Sequence, residues 1–584
     1  MKRISYTTKE LSFGNAELYR NGNHLTVHVP YNGAYGMGEK YDSLNQKGKT
    51  VINAVREKFC FQGDKTYCTT PFFWTDTGFG LYVDTCEVTT FDFGEKSIDI
   101  TLPETAEVVL FSGTPEEMVR EYMSLFGSAV LPPEWTMGIW ISANRWNTQE
   151  DVDALLGKLK KYDFPASIVV LEAWSDEATF YIWNGAKYDP VPNGQVLKFE
   201  DFDFSGTSWP NPAKMVQDIH DAGLKLLLWQ VPVYKKQGDD EVQNAQNDLD
   251  REDAAMRKLC VTMPDGTPYI IPKGNWFPDS MVPDFTNPAT VKSWFGKRQY
   301  LLDIGVDGFK TDGGEFIHRS DAQFHNGTTG KEGVNRYSRD YTESYRNFVG
   351  SNGVIFSRAG FSGQHTVPCH WGGDQQSQNS ELASVLKAGL SAAASGMIFW
   401  GFDLAGFAGP LPTLDLYRRA TQMACFCPIM QWHSEPDGGQ FRELMPGAEG
   451  NNERSPWNME ESYAAHGFMD EMRYWHKLHE QLRPYLWKTA KDCVCNSKPF
   501  MRPLVYEWPN DVNAVNCQDE YLLGDDLLVA PLLEENATSR EVYLPDGVWF
   551  DFFDGTEYAG NQIITADKDG KLPVFTRNGF ELEK

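Results

Sequence analysis

The chain has 584 residues, enough for two to four domains, one of which could be a barrel of roughly 250 residues. Its 53 basic and 81 acidic residues give a net charge of −28, which argues against nucleic acid and anionic membrane as partners. Aromatic residues make up 14% of the chain and include 18 Trp, a surplus typical of large cores and of sugar sites, where apolar sugar faces stack on flat rings.

The sequence carries no signal for a membrane or a secretory pathway. No apolar run approaches the roughly 20 residues that span a bilayer, and no apolar segment follows the charged N-terminus. The closest cysteine pairs, Cys425/Cys427 and Cys493/Cys495, have a spacing that suits neither a zinc ribbon nor an ordinary disulfide. We therefore expect a cytoplasmic protein with reduced thiols.

Residues 1 to 130 have the pattern of a β-sandwich domain. Short apolar runs are separated by Gly, Asn, Asp and Pro at the spacing typical of sandwiches. The predicted strands include His24 to Val29, Gly80 to Val83, Ile98 to Leu102 and Val108 to Phe111.

From residue 131 to residue 487, strands alternate with helices. Strands are predicted over Met137 to Ile141, Ala166 to Leu171, Leu224 to Val231, Ile304 to Phe309, Val354 to Arg358, Gly396 to Trp400 and Met423 to Gln431. Helices are predicted over Thr148 to Tyr162, with Thr148 as the N-cap, over Pro212 to Ala222 and over Asn287 to Asp303. This α/β alternation implies a parallel sheet and favours a closed (β/α)8 TIM barrel.

Two long segments, residues 175–210 and 235–279, interrupt the alternation. Both follow predicted strand ends, which form the active face of a barrel, so they predict loops or a small inserted subdomain over a site. From residue 488 to 584 the chain again shows short strands divided by Asp, Gly and Pro, which predicts a C-terminal β-domain.

The fourth predicted strand ends in a turn with two carboxylates, Asp312 and Glu315, and the glycines Gly313 and Gly314. Barrel enzymes keep catalytic groups at strand ends, and glycines let a substrate approach the backbone. Lys310 points to the same side of the strand as Asp312 and could favour its ionised form. Spacing alone leaves the choice between Asp312 and Glu315 open.

A second glycine-flanked carboxylate, Asp374, follows His370, Trp371 and two glycines. Glycosidases need two carboxyl groups in different environments, one that attacks and one that assists the leaving group. A metal site would be the alternative use of His365, Cys369 and His370, but no Cys or His spacing elsewhere completes a tetrahedral set. We therefore expect no metal and no cofactor.

Three segments together resemble glycoside hydrolase family 31, the retaining α-glycosidases. Asp284 to Pro288, followed by Gly305 to Asp312, resembles the nucleophile region of that family, which implies that Asp312 is the nucleophile. Val367 to Asp374 resembles the acid/base loop, which implies that Asp374 is the acid/base. The resemblance extends over nearly the whole chain and implies a barrel between an N-terminal β-sandwich and a C-terminal β-domain.

The resemblance also implies a set of sugar-binding residues. These are Arg358, Trp371, His433, Trp229, Trp276, Asp403 and Phe407. The chain departs from the family at Glu172 and Trp174, where many relatives place an Asp that binds a sugar hydroxyl, and at Lys310, where α-glucosidases mostly have Trp. The Lys-Thr-Asp sequence is similar to the α-xylosidase branch. All three residues are candidates for substrate binding.

The implied activity is exo-acting retaining hydrolysis of a terminal α-linked sugar. An α-glucosidase is favoured, with α-xylosidase and α-galactosidase as alternatives, and an oligosaccharide or α-glycoside is the expected partner. The alternative from another class is a catalytically silent carbohydrate-binding protein on the same fold. Association into a homo-oligomer stays open.

Overall fold

The computed structural model describes residues 1–192, 194–440, 444–567 and 569–582. The chain divides into two compact units, a central unit of residues 140–360 and a flanking unit of residues 1–139 and 361–584. None of the helices in the described ranges combines the length and apolar character that a membrane span needs.

The flanking unit begins with a sandwich of two antiparallel sheets. Its strands are β1 (Lys2–Ile4), β2 (Glu10–Phe13), β3 (Ala16–Asn21), β4 (His24–His28), β5 (Ala34–Gly38), β6 (Thr50–Asn53), β7 (Cys68–Thr75), β8 (Phe79–Asp84), β9 (Thr89–Phe93), β10 (Ser97–Thr101) and β11 (Glu107–Ser112). One sheet has the order β1-β11-β8-β7, with β5 also paired to β7, and the other has the order β2-β3-β4-β10-β9-β6. Leu18, Val27 and Ile98 of one sheet share a core with Phe73 and Leu81 of the other. The predicted β-sandwich is confirmed. Helix α1 (Pro115–Met123) follows it.

The central unit is built on five parallel strands. They are β12 (Ile139–Ala143), β13 (Ile168–Leu171), β14 (Lys225–Gln230), β15 (Gly308–Thr311) and β16 (Val354–Ser357), and each pairs with the next. Between them in the chain lie α2 (Gln149–Tyr162), α3 (Pro212–Asp221), α4 (Ala245–Met256), α5 (Pro288–Gly296), α6 (Gln299–Asp303) and α7 (Gly330–Val349). Thr148 caps α2 by accepting a hydrogen bond from the Asp151 amide, as predicted. The predicted α/β alternation is therefore present.

The single helix predicted over Asn287 to Asp303 is wrong, because the chain breaks into α5 and α6. At the break, Lys297 pairs with the buried Asp250 at 2.6 Å. The next residue, Arg298, donates to Gln230 Oε1 at 2.5 Å. The break allows Lys297 and Arg298 each to reach a buried partner. The helical periodicity of the sequence does not predict this break.

The two long segments predicted as insertions follow the carboxyl ends of β13 and β14. Residues 175–210 contain a short 3₁₀ turn, Phe199–Asp201, and residues 235–279 contain α4. The second segment ends in Trp276 and Phe277, whose rings contact each other at a centroid distance of 4.7 Å. Both segments therefore lie at the strand ends where a barrel keeps its chemistry.

The flanking unit continues after residue 360 with further parallel pairs. Its elements are β17 (Gly360–Phe361), β18 (Cys369–Trp371), α8 (Asn379–Ala394), β19 (Trp400–Gly401), β20 (Asp403–Leu404), α9 (Leu414–Cys425), β21 (Met430–Ser434), α10 (Pro456–Ser462) and α11 (Phe468–Asn496). Strand β18 pairs in parallel with β19, and β20 with β21. Two predicted strands are corrected here. Gly396 has a φ of 89° and follows the end of α8, so strand β19 begins only at Trp400. Met423 belongs to α9, whose buried Leu416 and Ala420 precede it at helical spacing.

The C-terminal β region begins later than residue 488. Helix α11 continues to Asn496, because Leu482, Leu486, Ala490 and Cys493 maintain a buried stripe at helical spacing. The following elements are β22 (Met501–Pro503), α12 (Leu504–Glu507), α13 (Val512–Asn516), β23 (Tyr521–Leu523), β24 (Leu527–Val529), β25 (Ser539–Leu544), β26 (Val548–Asp551), β27 (Glu557–Ala559), β28 (Gln562–Asp567) and β29 (Val574–Thr576). The order β22-β23-β24-β29-β26-β27 forms one sheet, and β25 pairs with β28. The predicted C-terminal β-domain is confirmed.

Candidate active site

Asp312 lies at the carboxyl end of β15 in the central unit, surrounded by hydrogen-bond donors. Trp229 Nε1 donates to its Oδ2 at 2.9 Å, and the Gly313 amide donates to its Oδ1 at 2.7 Å. Arg358 Nε lies 3.1 Å from the same Oδ1. Two hydrogen-bond donors and one cation, from three parts of the chain, therefore fix the orientation of one partly buried carboxyl group.

Local glycines make this arrangement possible. A Cβ on Gly308 would come within 1.9 Å of the Val354 carbonyl oxygen, so β15 can pair this closely with β16 only with glycine there. Gly313 has a φ of 71°, and a Cβ on it would meet the Phe316 ring at 2.8 Å. The backbone turn after Asp312 is therefore packed directly against aromatic rings.

Tyr341, on α7, is a residue of this site that the sequence did not reveal. Its hydroxyl donates to the backbone carbonyl of Asp312 at 3.2 Å. Burial raises the pKa of Tyr341 well above its usual value, with a smaller contribution from the Asp312 charge, so the phenol stays protonated as a donor. An aromatic residue on a helical face predicts core packing, and nothing in its spacing points to Asp312.

Arg358 connects the two carboxylates of the turn. Besides its contact with Asp312, its Nε and Nη2 donate to Glu315 at 3.3 and 3.2 Å. The guanidinium also lies 5.1 Å from the centroid of the Trp276 ring. The structure thus gives Glu315 a local pairing role beside Asp312, and it brings the predicted Arg358, Trp229 and Trp276 together around the proposed nucleophile.

Lys310 contacts a different carboxylate from the one expected. Its ammonium lies 2.5 Å from Glu172 Oε1, with the two side chains only 3% and 6% exposed. Ser142 donates to the same oxygen at 2.9 Å. The sequence predicted Lys310 as the cation beside Asp312, but in the structure Lys310 pairs with Glu172 and the cation beside Asp312 is Arg358. The direction of a side chain along a strand does not determine which of two neighbouring carboxylates it reaches. Trp174 is fully buried and donates to the Trp229 carbonyl at 3.0 Å.

Breaking the Lys310–Glu172 pair should destabilise the protein. We expect Lys310→Met to lower the free energy of unfolding by about 3–5 kcal/mol, because it removes a cation that lies against a buried carboxylate. The double variant Lys310→Met/Glu172→Met should be more stable than Lys310→Met alone. Urea unfolding of the wild type, both single variants and the double variant measures the coupling. Additive effects of the two substitutions would contradict a coupled pair.

Asp374 follows β18 in the flanking unit. The loop after it is tied to a second loop, because the amides of Phe407 and Ala408 both donate to the Gln375 carbonyl at 2.9 Å. The Phe407 ring contacts the His433 ring at a centroid distance of 5.0 Å. The predicted residues Asp374, Phe407 and His433 are therefore neighbours within this unit, and the buried Trp371 lies on the strand that leads to them.

Asp403 and His433 belong to the adjacent paired strands β20 and β21. Gln431 donates to Asp403, its register partner, and His433 Nδ1 lies 3.2 Å from Glu435. Burial lowers the pKa of the Arg454 guanidinium to about 10, partly offset by the charges of Glu435 and Asp403. Ionisable groups of both signs, Arg454 with Glu435 and Asp403, are therefore buried in this part of the flanking unit.

A potential metal-binding group occurs only away from these residues, within the part of the chain that the structure describes. Cys517, Asp519 and Glu520 place their ligand atoms within 4.8 Å of one another in the C-terminal β region. Arg540 Nη2 lies 3.1 Å from Asp519 and 3.2 Å from Glu520. Because the Arg540 guanidinium already provides the cation for these carboxylates, we assign no metal to them.

Three family models match successive parts of the chain. The glycosyl hydrolases family 31 TIM-barrel domain matches residues 129–489, and the family 31 C-terminal domain matches residues 497–580. The family 31 N-terminal galactose mutarotase-like domain matches residues 16–92. The chain belongs to glycoside hydrolase family 31.

Characterised family 31 proteins are similar over most of this chain. It is 34% identical to isomaltosyltransferase from Sporosarcina globispora, covering 93% of this chain and 50% of that protein. It is 35% identical to 1,3-alpha-isomaltosidase from Kribbella flavida, covering 93% and 75%. A solved structure of the cycloalternan-degrading enzyme from Trueperella pyogenes, in complex with covalent intermediate, has a TM-score of 0.89 at 33% identity, covering 97% and 80%. The chain thus spans only half the length of the isomaltosyltransferase.

The family 31 assignment confirms the predicted fold class. The TIM-barrel model spans both the five parallel strands of the central unit and the parallel pairs that follow residue 360. The structural similarity covers 97% of the chain, which includes the N-terminal sandwich and the C-terminal β-domain. The fold is a (β/α)8 TIM barrel that follows the N-terminal sandwich in the chain and precedes the C-terminal β-domain.

Proposed function

We propose that this chain is a retaining α-glycosidase in which Asp312 is the nucleophile. The observation that carries the proposal is the carboxyl group of Asp312 at a barrel strand end, held by hydrogen bonds from Trp229 and Gly313 and by the cation of Arg358. Such a fixed carboxylate suits attack on an anomeric carbon, since orientation lowers the barrier to bond formation. The covalent intermediate named for the Trueperella enzyme supports the same route.

Asp374 is the proposed acid/base of a double displacement. Asp312 attacks the anomeric carbon while Asp374 protonates the departing oxygen, which leaves a β-linked glycosyl-enzyme. Asp374 then removes a proton from water, or from an acceptor sugar, and the oxygen attacks to release an α-product. This route requires the two carboxyl groups to lie roughly 5–5.5 Å apart across the bond that is cleaved. A separation beyond about 6.5 Å in a crystal structure of the closed enzyme would exclude it.

An α-linked glucosyl unit is the proposed glycone, as the family resemblance favoured. A second candidate is an isomaltosyl unit, because the relatives with this identity and coverage are named for isomaltosyl transfer and isomaltosidase activity. The α-xylosidase and α-galactosidase alternatives remain testable in the same assay. Transfer to an acceptor sugar differs from hydrolysis only in the species that Asp374 deprotonates.

A panel of 4-nitrophenyl α-glycosides tests the function. We expect the glucoside or the isomaltoside to give a kcat/KM at least about tenfold above the xyloside and the galactoside, a difference of about 1.4 kcal/mol in transition-state stabilisation. Proton NMR of the first product should show the α-anomer. Release of the β-anomer would exclude retention, and binding without any cleavage would instead support the silent carbohydrate-binding protein.

A further inference from the structure

The loop that carries Asp374 is held by three side chains of the N-terminal sandwich region. Tyr41 donates its hydroxyl hydrogen to the Gly372 carbonyl at 2.9 Å. Gln62 Nε2 donates to the backbone carbonyl of Asp374 at 2.5 Å. Between these contacts the Tyr67 ring lies against Gly373, where an added Cβ would come within 2.1 Å of a ring carbon. Three consecutive loop residues, Gly372 to Asp374, are therefore held by side chains that lie far from them in the chain but in the same unit.

The groups that hold the loop are themselves fixed. Gln62 is 0% exposed, and its Nε2 also lies 3.2 Å from the Tyr67 hydroxyl. The rings of Tyr41 and Tyr67 meet edge to face at a centroid distance of 6.3 Å. Glu39 Oε2 lies 3.2 Å from the Tyr41 hydroxyl oxygen, and Glu39 Oε1 accepts from Trp400 Nε1 at 3.0 Å. Because these side chains leave little freedom to one another, they form a rigid support.

The two residues before Gln62 have a strained backbone, and this backbone directs the Gln62 side chain towards the loop that carries Asp374. Cys60 and Phe61 have φ angles of 56° and 45°, which bulky residues rarely adopt. The Phe61 amide donates to Glu381 at 2.9 Å, which holds this conformation. Such strain persists only where the surrounding structure imposes it, and it concentrates at functional sites.

We propose that Gln62 is a positioning residue for Asp374, supported by Tyr41. The inference rests on the proposed acid/base role of Asp374. A general acid must lie within hydrogen-bond reach of the oxygen that it protonates, and small displacements of a reacting group slow catalysis strongly. By anchoring the Asp374 carbonyl, Gln62 fixes the backbone from which the carboxyl group projects. The proton then passes from Asp374 to the glycosidic oxygen as the bond between carbon and oxygen breaks.

Two substrates that share the glucosyl unit and differ strongly in their need for that proton test the role of Gln62. Phenyl α-glucoside has a basic leaving group that requires protonation, whereas the fluoride of α-glucosyl fluoride departs largely without it. We expect Gln62→Ala to lower kcat/KM about 10- to 100-fold for the phenyl glycoside and less than about threefold for the fluoride. If the enzyme cleaves only isomaltosyl donors, the matched phenyl and fluoride α-isomaltosides replace this pair.

Two further variants separate positioning from general stability. Tyr41→Phe removes one oxygen and keeps the ring, so it should lose activity in the same leaving-group-dependent way, and it carries the test if Gln62→Ala does not fold. Tyr35→Phe is the matched control, since it removes another buried hydroxyl that donates to the Val515 carbonyl at 2.8 Å. It should affect both substrates equally. Equal losses on both substrates for Gln62→Ala, or no loss on either, would overturn the proposal. A wild type inactive on both pairs would overturn the proposed function itself.

Discussion

Replacing Asp312 with alanine should reduce kcat by on the order of 10⁴–10⁶-fold, the scale on which enzymes lose activity when their nucleophile is removed. The glycosyl-enzyme cannot form without this carboxylate, and none of its neighbours Trp229, Gly313 and Arg358 can act as a nucleophile in its place. We expect the folded state to persist, because Arg358 keeps its contacts with Glu315. Steady-state kinetics on the substrate identified by the aryl-glycoside panel, with thermal unfolding alongside, measures both effects.

Adding azide tests whether the loss of activity in Asp312→Ala comes from the missing nucleophile. In Asp312→Ala, azide can enter the vacated space and attack the anomeric carbon from the face that Asp312 would have used, so the expected product is a β-glycosyl azide. The exposed Asp321, paired with Arg319 in the same unit, provides a control carboxylate whose replacement with alanine should leave kcat unchanged. Turnover of Asp312→Ala close to that of the wild type would remove Asp312 from the mechanism.

The surroundings of Asp312 were largely predictable from sequence. Strand and helix alternation placed Asp312 and Arg358 at the ends of neighbouring strands, which meet at one edge of a parallel sheet. The same reasoning could not identify the partner of Lys310. Glu172 and Asp312 both lie at strand ends, and only the packed structure determines which of them an ammonium group reaches.

The contacts around Asp374 were beyond sequence reasoning. Gln62 and Tyr41 are far from Asp374 in the chain, and Gln62 belongs to no periodic pattern or short motif that would relate it to the barrel. The contact of Gln62 with the Asp374 loop depends on the strained backbone at Cys60 and Phe61. Local residue propensities do not predict this conformation. The apolar stretch from Met423 was misread for a related reason, since short apolar runs fit helix and strand equally well.

Asp374→Ala should give a loss that depends on the leaving group. General acid–base catalysis contributes about 10²–10⁴-fold, so we expect a decrease in kcat/KM of that size for phenyl glycosides. For glycosyl fluorides the first step should be nearly normal, because fluoride departs with little protonation. The second step still lacks its general base, so the glycosyl-enzyme should accumulate and kcat should fall for both substrates. Pre-steady-state bursts and mass spectrometry of the intact protein detect this accumulation.

Azide again distinguishes the two carboxylates. It needs no general base, so with the glycosyl fluoride as substrate it should react with the glycosyl-enzyme of Asp374→Ala, restore kcat and give an α-glycosyl azide, the opposite anomer to that from Asp312→Ala. Asp470, an exposed carboxylate of the same unit, provides the control, and Asp470→Ala should behave as the wild type. The same azide anomer from both variants would be incompatible with opposite faces of attack. Opposite anomers would assign each carboxyl group to its own step, because each variant leaves open only the face that its missing carboxylate served.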